Sequence, residues 1–413
     1  MQSKKQEDNQ LLAAHFFRTE YGKMLAVVSR YVGIETAEDI VQETLLSAVE
    51  HWQHHGIPAN PQAWLYLTAK NKSLNWLRKL KHEKDYRSQL PKQDLSSLEF
   101  DDQAILDEQL SVMLLCCAPA ISEDTQIALM LKILCGFSIA ELSAAFCTNS
   151  ETINKRLVRG RKSLRKQGFN LNTEGIKNNL NALLKTIYLL FNEGYLPARK
   201  NQIIRKDLCL EAIRLTDIIL ANEKVTDKGQ VQALMALMCF NCARFDARVG
   251  ANNEFIEMEN QDRNLWSQEL IDKGLRHLDK VQHSGVISNY LILAAISANH
   301  CIASTYEKTN WEEILSLYDA LLKLEDSTMV RLNKLVAYSK VNGPEKAILE
   351  LMKLKDLSFG ASHLYFSTLA TLYQEVNDHA NSIKNYKKAI SLAPNARDKE
   401  LLRKKMHVVV PVF

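Results

Sequence analysis

Residues 122–167 read SEDTQIALMLKILCGFSIAELSAAFCTNSETINKRLVRGRKSLRKQ, and their punctuation divides them into three short helices. An apolar run, Ile127, Leu129, Met130, Leu131, Ile133 and Leu134, stops at Gly136. Ser138 with Glu141 three residues on has capping-box spacing and predicts a second helix over residues 139–146. Cys147-Thr148-Asn149 is then the turn, with Ser150 placed to cap a third helix beginning at Glu151. At about 100° per residue, Ile153, Leu157, Gly160 and Leu164 fall on one side of that helix, and Lys155, Arg159, Lys162 and Lys166 on the other. One side packs and the other meets an anion.

Between Glu151 and Lys166 seven basic residues (Lys155, Arg156, Arg159, Arg161, Lys162, Arg165, Lys166) stand against one acid, a local balance of +6. A two-helix turn followed by such a helix suits a phosphate-lined major groove. A solvated basic face is the plainer reading, and the capped geometry in front of the helix weighs against it.

The rest of the 413-residue chain is organised around this element. That length predicts two or three domains. With 46% apolar and 24% charged residues the composition is that of a globular protein. The net charge is only +4, so the basic character is local, as in a chain with a dedicated nucleic-acid module. Met1–Gln10 is polar and no apolar run reaches membrane-spanning length, which predicts a cytoplasmic protein without a membrane partner. The eight cysteines are scattered through apolar helical stretches, as reduced core thiols are. Cys239 and Cys242 share a helix face within ALMALMCFNCARF and read as packing, not as a redox or zinc motif. His51, His54 and His55 read as a polar helix end, so no metal site is expected.

Prolines stand only at segment borders and helix follows helix, which makes the fold class all-α. The first helix is expected over residues 9–31. The second is expected over residues 36–52, opened by Thr36-Ala-Glu-Asp39 in capping-box order. On that second helix Asp39, Gln42, Glu43 and Glu50 form a polar face; Ile40, Val41, Leu45, Ala48, Val49 and Trp52 form the apolar one. After the Pro58–Pro61 break comes AWLYLTAKNKSLNWLRKLKHEK, in which Trp64, Tyr66 and Trp76 interleave with Lys70, Lys72, Arg78, Lys79, Lys81 and Lys84. Residues 70–87 hold seven bases and two acids, a balance of +5. Rings that stack on bases and cations that follow a backbone suit a single-stranded or melted nucleic acid, although some of these aromatics must fill a core. Residues 88–103, SQLPKQDLSSLEFDDQ, break the periodicity as a flexible linker does.

AEDIVQETLLSAVEHW, then NPQAWLYLTAKNKSLNWLRK, then the helix-turn-helix, resembles in order and spacing the region 2 plus region 4 arrangement of the extracytoplasmic-function group of bacterial sigma-70-type RNA polymerase sigma factors. The resemblance implies core RNA polymerase and promoter DNA as partners. It implies that Asp39, Gln42 and Glu43 dock on the polymerase clamp helices. It implies that the following helix (Lys70, Asn71, Lys72, Asn75, Trp76, Arg78, Lys79) reads and melts the downstream promoter element. The third helix of the helix-turn-helix would read the upstream element, with Thr152, Asn154, Lys155 and Arg159 among the base readers and Arg156, Lys162 and Lys166 beside them. LLCCAPAIS resembles a subgroup with a long C-terminal extension, except that Ala118 replaces the usual His. The expected domains are 1–87 (region 2), 88–103 (linker), 104–170 (region 4) and 174–413.

In the last of these, Phe366, Leu369, Ala370, Tyr373, Ser382, Tyr386, Ala389 and Pro394 fall on tetratricopeptide spacing. Residues 329–354 fit it loosely and residues 291–324 more loosely still. Stacked hairpins predict a solenoid whose concave face takes a protein or peptide partner or, less often, a small ligand; a built-in regulator is the expected role, against a passive stabilising or dimerising appendage. The segments 187–195, 233–248 and 259–271 resemble the same subgroup; Asn192, Glu193, Arg244, Arg248, Asp262, Arg263 and Trp266 there are candidates for a polar cluster between helices, read first as structural and second as a sensing or docking site. No glycine-rich phosphate loop, HExxH or nucleophile elbow is present in the sequence, so neither an enzyme nor a cofactor is expected. The rival readings are a one-component regulator, in which the helix-turn-helix binds an operator and the solenoid senses a ligand, and a plain tetratricopeptide scaffold.

Overall fold

The computed structural model describes residues 2–84, 100–146, 148–167, 173–195, 205–250, 254–282, 285, 287–353, 362–394 and 396–409. Side chains are not described for residues 2–15, 81–84, 144, 165–167, 173–178, 282, 396–397 and 408–409. Among the described residues the fold is all-α, with a single isolated bridge, Val249 to Phe255, in place of any sheet. It divides into two compact units: Met1–Leu190 with Arg214–Thr226, and Phe191–Ile213 with Asp227–Phe413.

The first unit is built on α1 (Gln2–Val32). Its consecutive residues Met24, Leu25, Ala26, Val27 and Val28 are all buried, because the helix is covered on several sides, by α2 (Ile34–His55), α3 (Pro61–Lys84) and α4 (Asp102–Cys116). Gly33, at φ 80°, turns the chain sharply from α1 into α2. That turn corrects the expected start of α2. Gly33 precedes the first helical residue, no side chain caps it, and Thr36 lies inside the first turn. Pro61 occupies the first position of α3, where its missing N–H is harmless, and Asn60 Oδ1 caps Ala63 N at 3.0 Å. The expected linker ends sooner than its composition suggests. Phe100 stacks on Tyr66 at 4.5 Å, Asp101 caps α4 through Ala104 N at 2.9 Å, and Asp102 and Gln103 are helical; residues 85–99 lie outside the described ones.

The segment that opens the sequence argument forms α5 (Glu123–Ile133), α6 (Ile139–Ala145) and α7 (Ser150–Gln167). Its capping box is formed as read: Ser138 N donates to Glu141 Oε2 at 2.8 Å and Glu141 N to Ser138 Oγ at 3.1 Å. Asn149, not Ser150, caps α7, its Oδ1 accepting from Thr152 N at 2.8 Å; the Ser150 hydroxyl is 3.3 Å from that of Ser143. Ile153, Leu157, Gly160 and Leu164 are buried as predicted. A Cβ on Gly160 would lie 2.8 Å from Leu129 Cδ1 and 2.9 Å from Thr125 Cγ2, so α7 sits against α5 closely enough that an added methyl would displace those side chains.

The first unit reaches beyond residue 170. Thr186, on α8 (Thr173–Tyr195), donates to Gln126 Oε1 at 2.8 Å; Arg214, on α9 (Lys206–Ala221), donates to Leu134 O at 3.1 Å. Gln126 in turn donates to Ala118 O, at the position where the sequence departs from its look-alikes.

In the second unit α10 (Gly229–Cys242) is buried almost along its length and packs on α11 (Gln268–Gln282) and α12 (Asn289–Ile302). Helical hairpins follow: α12 with α13 (Trp311–Leu324), α14 (Thr328–Asn342) with α15 (Pro344–Lys353), and α16 (His363–Glu375) with α17 (His379–Leu392), closed by α18 (Ala396–Val409). Their cores run on from one hairpin to the next. Ile314 packs with Val330, Leu351 with Tyr365, and Ala389 with Leu402. Small residues carry the tightest contact, where Ser382 Oγ donates to Ala370 O at 2.9 Å beside the buried Ala389. The seven described cysteines, 116, 117, 135, 209, 239, 242 and 301, are buried and form no disulfide; Cys147 lies outside the described residues.

A Cβ on Gly22 would stand 2.1 Å from the Leu134 carbonyl oxygen, a backbone atom that cannot move aside. Gly22→Ala is expected to lower the stability of the chain by about 2 kcal/mol or more, read by denaturant unfolding. In the second unit burial depresses His277 and His300 to about 4, helped at His277 by Lys280 and at His300 by Arg244 and Arg263. Both are held neutral when folded, so their contribution is complete above pH 6.5 and is lost as pH falls toward 4. Unfolding of the full chain at pH 5 against pH 7 should show a loss on the order of 1 kcal/mol from each, and His277→Gln should flatten that slope.

A candidate nucleic-acid and polymerase interface

Three helices of the first unit turn a polar stripe to solvent. On α2 the stripe runs through Glu35, Asp39, Gln42, Glu43, Leu46, Val49 and Glu50, all exposed. Val49, expected on the apolar inner face, is 42% exposed, and Leu46 is 59% exposed. Helical spacing explains this: residues 39, 42, 46 and 49 share a face, while Ile40, Val41, Thr44 and Ala48 take the buried one. The result is a stripe of acids with apolar side chains between them.

On α3 the exposed residues are Ala63, Leu67, Asn71, Asn75, Arg78 and Lys79 among the described side chains, again at helical spacing. Lys70, Lys72 and Trp76 are half-buried. Lys72 Nζ lies 3.5 Å from Glu43 Oε2, and Arg78 Nη1 donates weakly to Asn75 Oδ1 at 3.4 Å. The other two aromatics of the interleaved stretch are packing groups. Trp64 lies against Trp52 and His51 at 5.7 and 5.4 Å; the Tyr66 hydroxyl donates to Glu20 Oε2 at 2.7 Å. Burial, and next the hydrogen bond to Glu20, raises the Tyr66 phenol above its ordinary range.

On α7 the outward stripe is Glu151, Asn154, Lys155, Val158, Arg159 and Lys162, all exposed, with Thr152 half-buried at its edge. Lys155 bonds Glu151 one turn back at 2.7 Å, while Arg159 and Lys162 stand in solvent. Arg156 is set apart from them: it is half-buried, 3.1 Å from Asp124 Oδ2, with its guanidinium 5.4 Å from the centre of the Phe146 ring. The side chain of Lys166 lies outside the described ones. Val158, 64% exposed between Lys155 and Arg159, went unremarked in the basic pattern.

Sequence reading also missed the pairs that join distant helices of this unit. Arg161 of α7 donates from Nη2 to both oxygens of Glu38 of α2, at 2.8 and 2.7 Å, with both side chains largely buried. Arg18 of α1 bonds Glu141 of α6 at 2.5 Å and lies 4.7 Å from the Phe137 ring centre. Burial pushes Glu141 upward, but the hydrogen bonds from Ser138 and the charge of Arg18 overcome it and leave its carboxyl below the usual range. Arg30 pairs with Glu108 of α4, where burial dominates and raises the carboxyl. Glu38 and Arg161 lie 123 residues apart, too far for helical spacing to signal.

A family model described as sigma-70 region 2 matches residues 16–83, the span of α1 to α3 that carries two of these stripes. The match supports membership of the sigma-70 family. A region 2 domain supports a role in transcription initiation and implies binding to core RNA polymerase and promoter DNA; the sigma-70 family is one of non-enzymatic transcription factors. A family of unknown function (DUF6596) matches residues 179–282. An uncharacterized protein of Rhizobium meliloti is 31% identical over 393 residues, 92% of this chain and 91% of that one, and the two are members of one family over nearly their whole length. No described helix of the chain is long and apolar enough to cross a membrane, and no described cluster of His, Cys, Asp or Glu has a metal-binding arrangement.

In the second unit the polar cluster read from the sequence is only partly assembled. Arg244, Arg263 and Trp266 meet, with the two guanidiniums 5.7 and 4.5 Å from the indole centre. Arg248 instead lies 3.7 Å over the Tyr195 ring. Asp262 is exposed and caps Asn264 N at 2.9 Å, while Asn192 and Glu193 are half-buried on α8.

The Glu38–Arg161 pair supplies a test of how the first unit is held. Arg161→Gln alone leaves a buried carboxylate and should cost about 3 kcal/mol; with Glu38→Gln added, most of that loss should return. A double-mutant cycle by denaturant unfolding is expected to give a coupling above about 1 kcal/mol.

Proposed function

We propose that this chain is a sigma factor of the extracytoplasmic-function group whose second unit is a tetratricopeptide-like domain that modulates its activity. The observation that carries the reading is the outward stripe of α7. There Lys155, Arg159 and Lys162 stand on the side opposite a fully buried apolar face, with Asn154 and Thr152 beside them and Val158 at their centre. Side chains of this kind contact phosphate and base edges in a major groove, and an exposed valine suits a thymine methyl group. This is the role of a region 4 helix-turn-helix reading the upstream promoter element.

Asn71, Asn75, Arg78 and Lys79 on α3, with Lys70, Lys72 and Trp76 at the margin, serve the downstream element. There an aromatic ring and nearby cations favour unstacked bases. Asp39, Gln42 and Glu43 dock on the polymerase, and the exposed Leu46 and Val49 extend that surface with the apolar contacts a protein partner needs. The stacked hairpins from α12 to α18, with their small-residue contacts at Ala370, Ser382 and Ala389, support the tetratricopeptide reading, and the groove of such a stack takes a protein or peptide. An operator-binding regulator leaves the stripes of α2 and α3 without a role.

Transcription in vitro with purified core polymerase tests the assignment. Full-length protein should give specific starts that vanish with Asp39→Arg plus Glu43→Arg while binding to isolated promoter DNA persists. Arg159→Ala with Lys162→Ala should weaken DNA binding and reduce the slope of log affinity against log salt by about 2. Deleting residues 227–413, which spares every segment of the first unit, should change promoter output without abolishing core binding; unchanged output would remove the modulatory role.

A further inference from the structure

Four of the buried polar side-chain atoms without a hydrogen-bond partner belong to one neighbourhood of the second unit: Arg263 Nη2, Trp266 Nε1, His300 Nδ1 and Thr309 Oγ1. Trp266 is 7% exposed and Thr309 5%. The four are linked through their neighbours. Arg263 lies over the Trp266 ring, its Nη1 donates to His300 O and Ala303 O at 2.7 and 2.6 Å, and His300 meets Trp311 at 5.3 Å, two residues beyond Thr309.

The charge here is lopsided. Arg244, 9% exposed, faces the same indole and donates only to neutral acceptors, Tyr195 Oη at 2.5 Å and Asn241 Oδ1 at 3.3 Å. Arg263 likewise donates only to carbonyls. Neither makes an ion pair among the described residues. The acids nearby are spent elsewhere or stand outside: Asp262 caps Asn264, and Glu307 is exposed, its carboxyl lowered first by a hydrogen bond from Thr305 and only last by Arg263. Burial and the two arginines keep His300 neutral. Two guanidiniums facing one ring with no carboxylate between them are costly, and a buried indole N–H left unmade adds to that cost. An indole N–H can only donate, and a guanidinium only donates. The group that answers all of these at once is an anion with several acceptor oxygens.

We propose that Arg263, Arg244 and Trp266, with Thr309 at the margin, form a binding site for a small oxyanion, the phosphate or carboxylate group of a small molecule. Arg263 Nη2 and the Trp266 N–H, both buried, are the donors that the anion takes up. The site stands on its own chemistry and does not depend on how the second unit acts on transcription.

Thermal unfolding of the full chain in inorganic phosphate, in succinate and in chloride at equal ionic strength tests this, with Arg263→Gln and Trp266→Phe compared in each. The native chain should gain about 3 °C or more in Tm with phosphate or succinate over chloride, and the more effective of the two names the oxyanion. Trp266→Phe keeps the ring and loses the donor, so its gain should fall to less than half; Arg263→Gln should lose it altogether. Phosphate held by the DNA-reading helices is common to all three chains and cancels. Equal gains in the native chain and Trp266→Phe, or no gain with either anion, would overturn the proposal, and because Trp266→Phe preserves the packing, the comparison survives a failure of Arg263→Gln to fold.

Discussion

At Gly160 the backbone of α7 comes so close to Leu129 and Thr125 of α5 that even a methyl group there would force their side chains to shift. That approach fixes the rotation of α7 about its axis. Once Gly160 faces α5, helical spacing sends Ile153, Leu157 and Leu164 into the core and Lys155, Val158, Arg159 and Lys162 outward. Arg156 and Arg161 fall at the borders, where solvent alone does not satisfy them, and each has found a carboxylate, Asp124 or Glu38. One steric contact thus sorts the cations into those turned to solvent and those engaged in holding the helix.

The ties of the second kind give the first unit its coherence. Arg161 to Glu38 and Arg18 to Glu141 connect α7 with α2 and α1 with α6, so the segment 123–167 and the segment matched as sigma-70 region 2 share one compact unit. Partly buried ion pairs add little net stability over apolar contacts of the same size, but a mispaired arrangement strands a charge in the interior. Their work is therefore to select one arrangement of helices rather than to deepen its well. The Glu38 they use sits on the inner side of the helix whose outer side carries Asp39 and Glu43, one residue separating a structural acid from a solvent-facing one.

What was legible in the sequence followed distance along the chain. The all-α class, the helices around Gly136 and Ser138, the buried side of α7 and the small residues at 370, 382 and 389 are written in spacings of three and four residues, and these the structure carries. The start of α2 was misread because Thr36-Ala-Glu-Asp39 has capping spacing, whereas a glycine at positive φ had already turned the chain at residue 33. Ser150 was taken for a cap that Asn149 provides, one residue earlier, since both types serve that position. Val49 was counted inward because it is apolar, although its helical phase follows Asp39 and Leu46. Glu38 with Arg161, and Arg263 with the end of α12, depend on tertiary juxtaposition, and one sequence holds no signal for it. The basic residues of α3 and α7 were legible as a pattern of charge, but which of them point outward became visible only in the fold.

The cysteines have a consequence for chemistry applied from outside. Cys116, Cys117 and Cys135 belong to the first unit and Cys209, Cys239, Cys242 and Cys301 to the second, all buried. Burial is the main cause raising the thiols of Cys116, Cys117, Cys242 and Cys301, to about 12 at Cys117 and about 11 at Cys301. A thiol so placed is almost wholly protonated near neutrality and out of reach of an alkylating reagent. Modification must wait until the surrounding helices part. The rate at which each cysteine is labelled is therefore a clock for the opening of its own unit, and peptide mapping of the labelled chain reads two clocks in one sample.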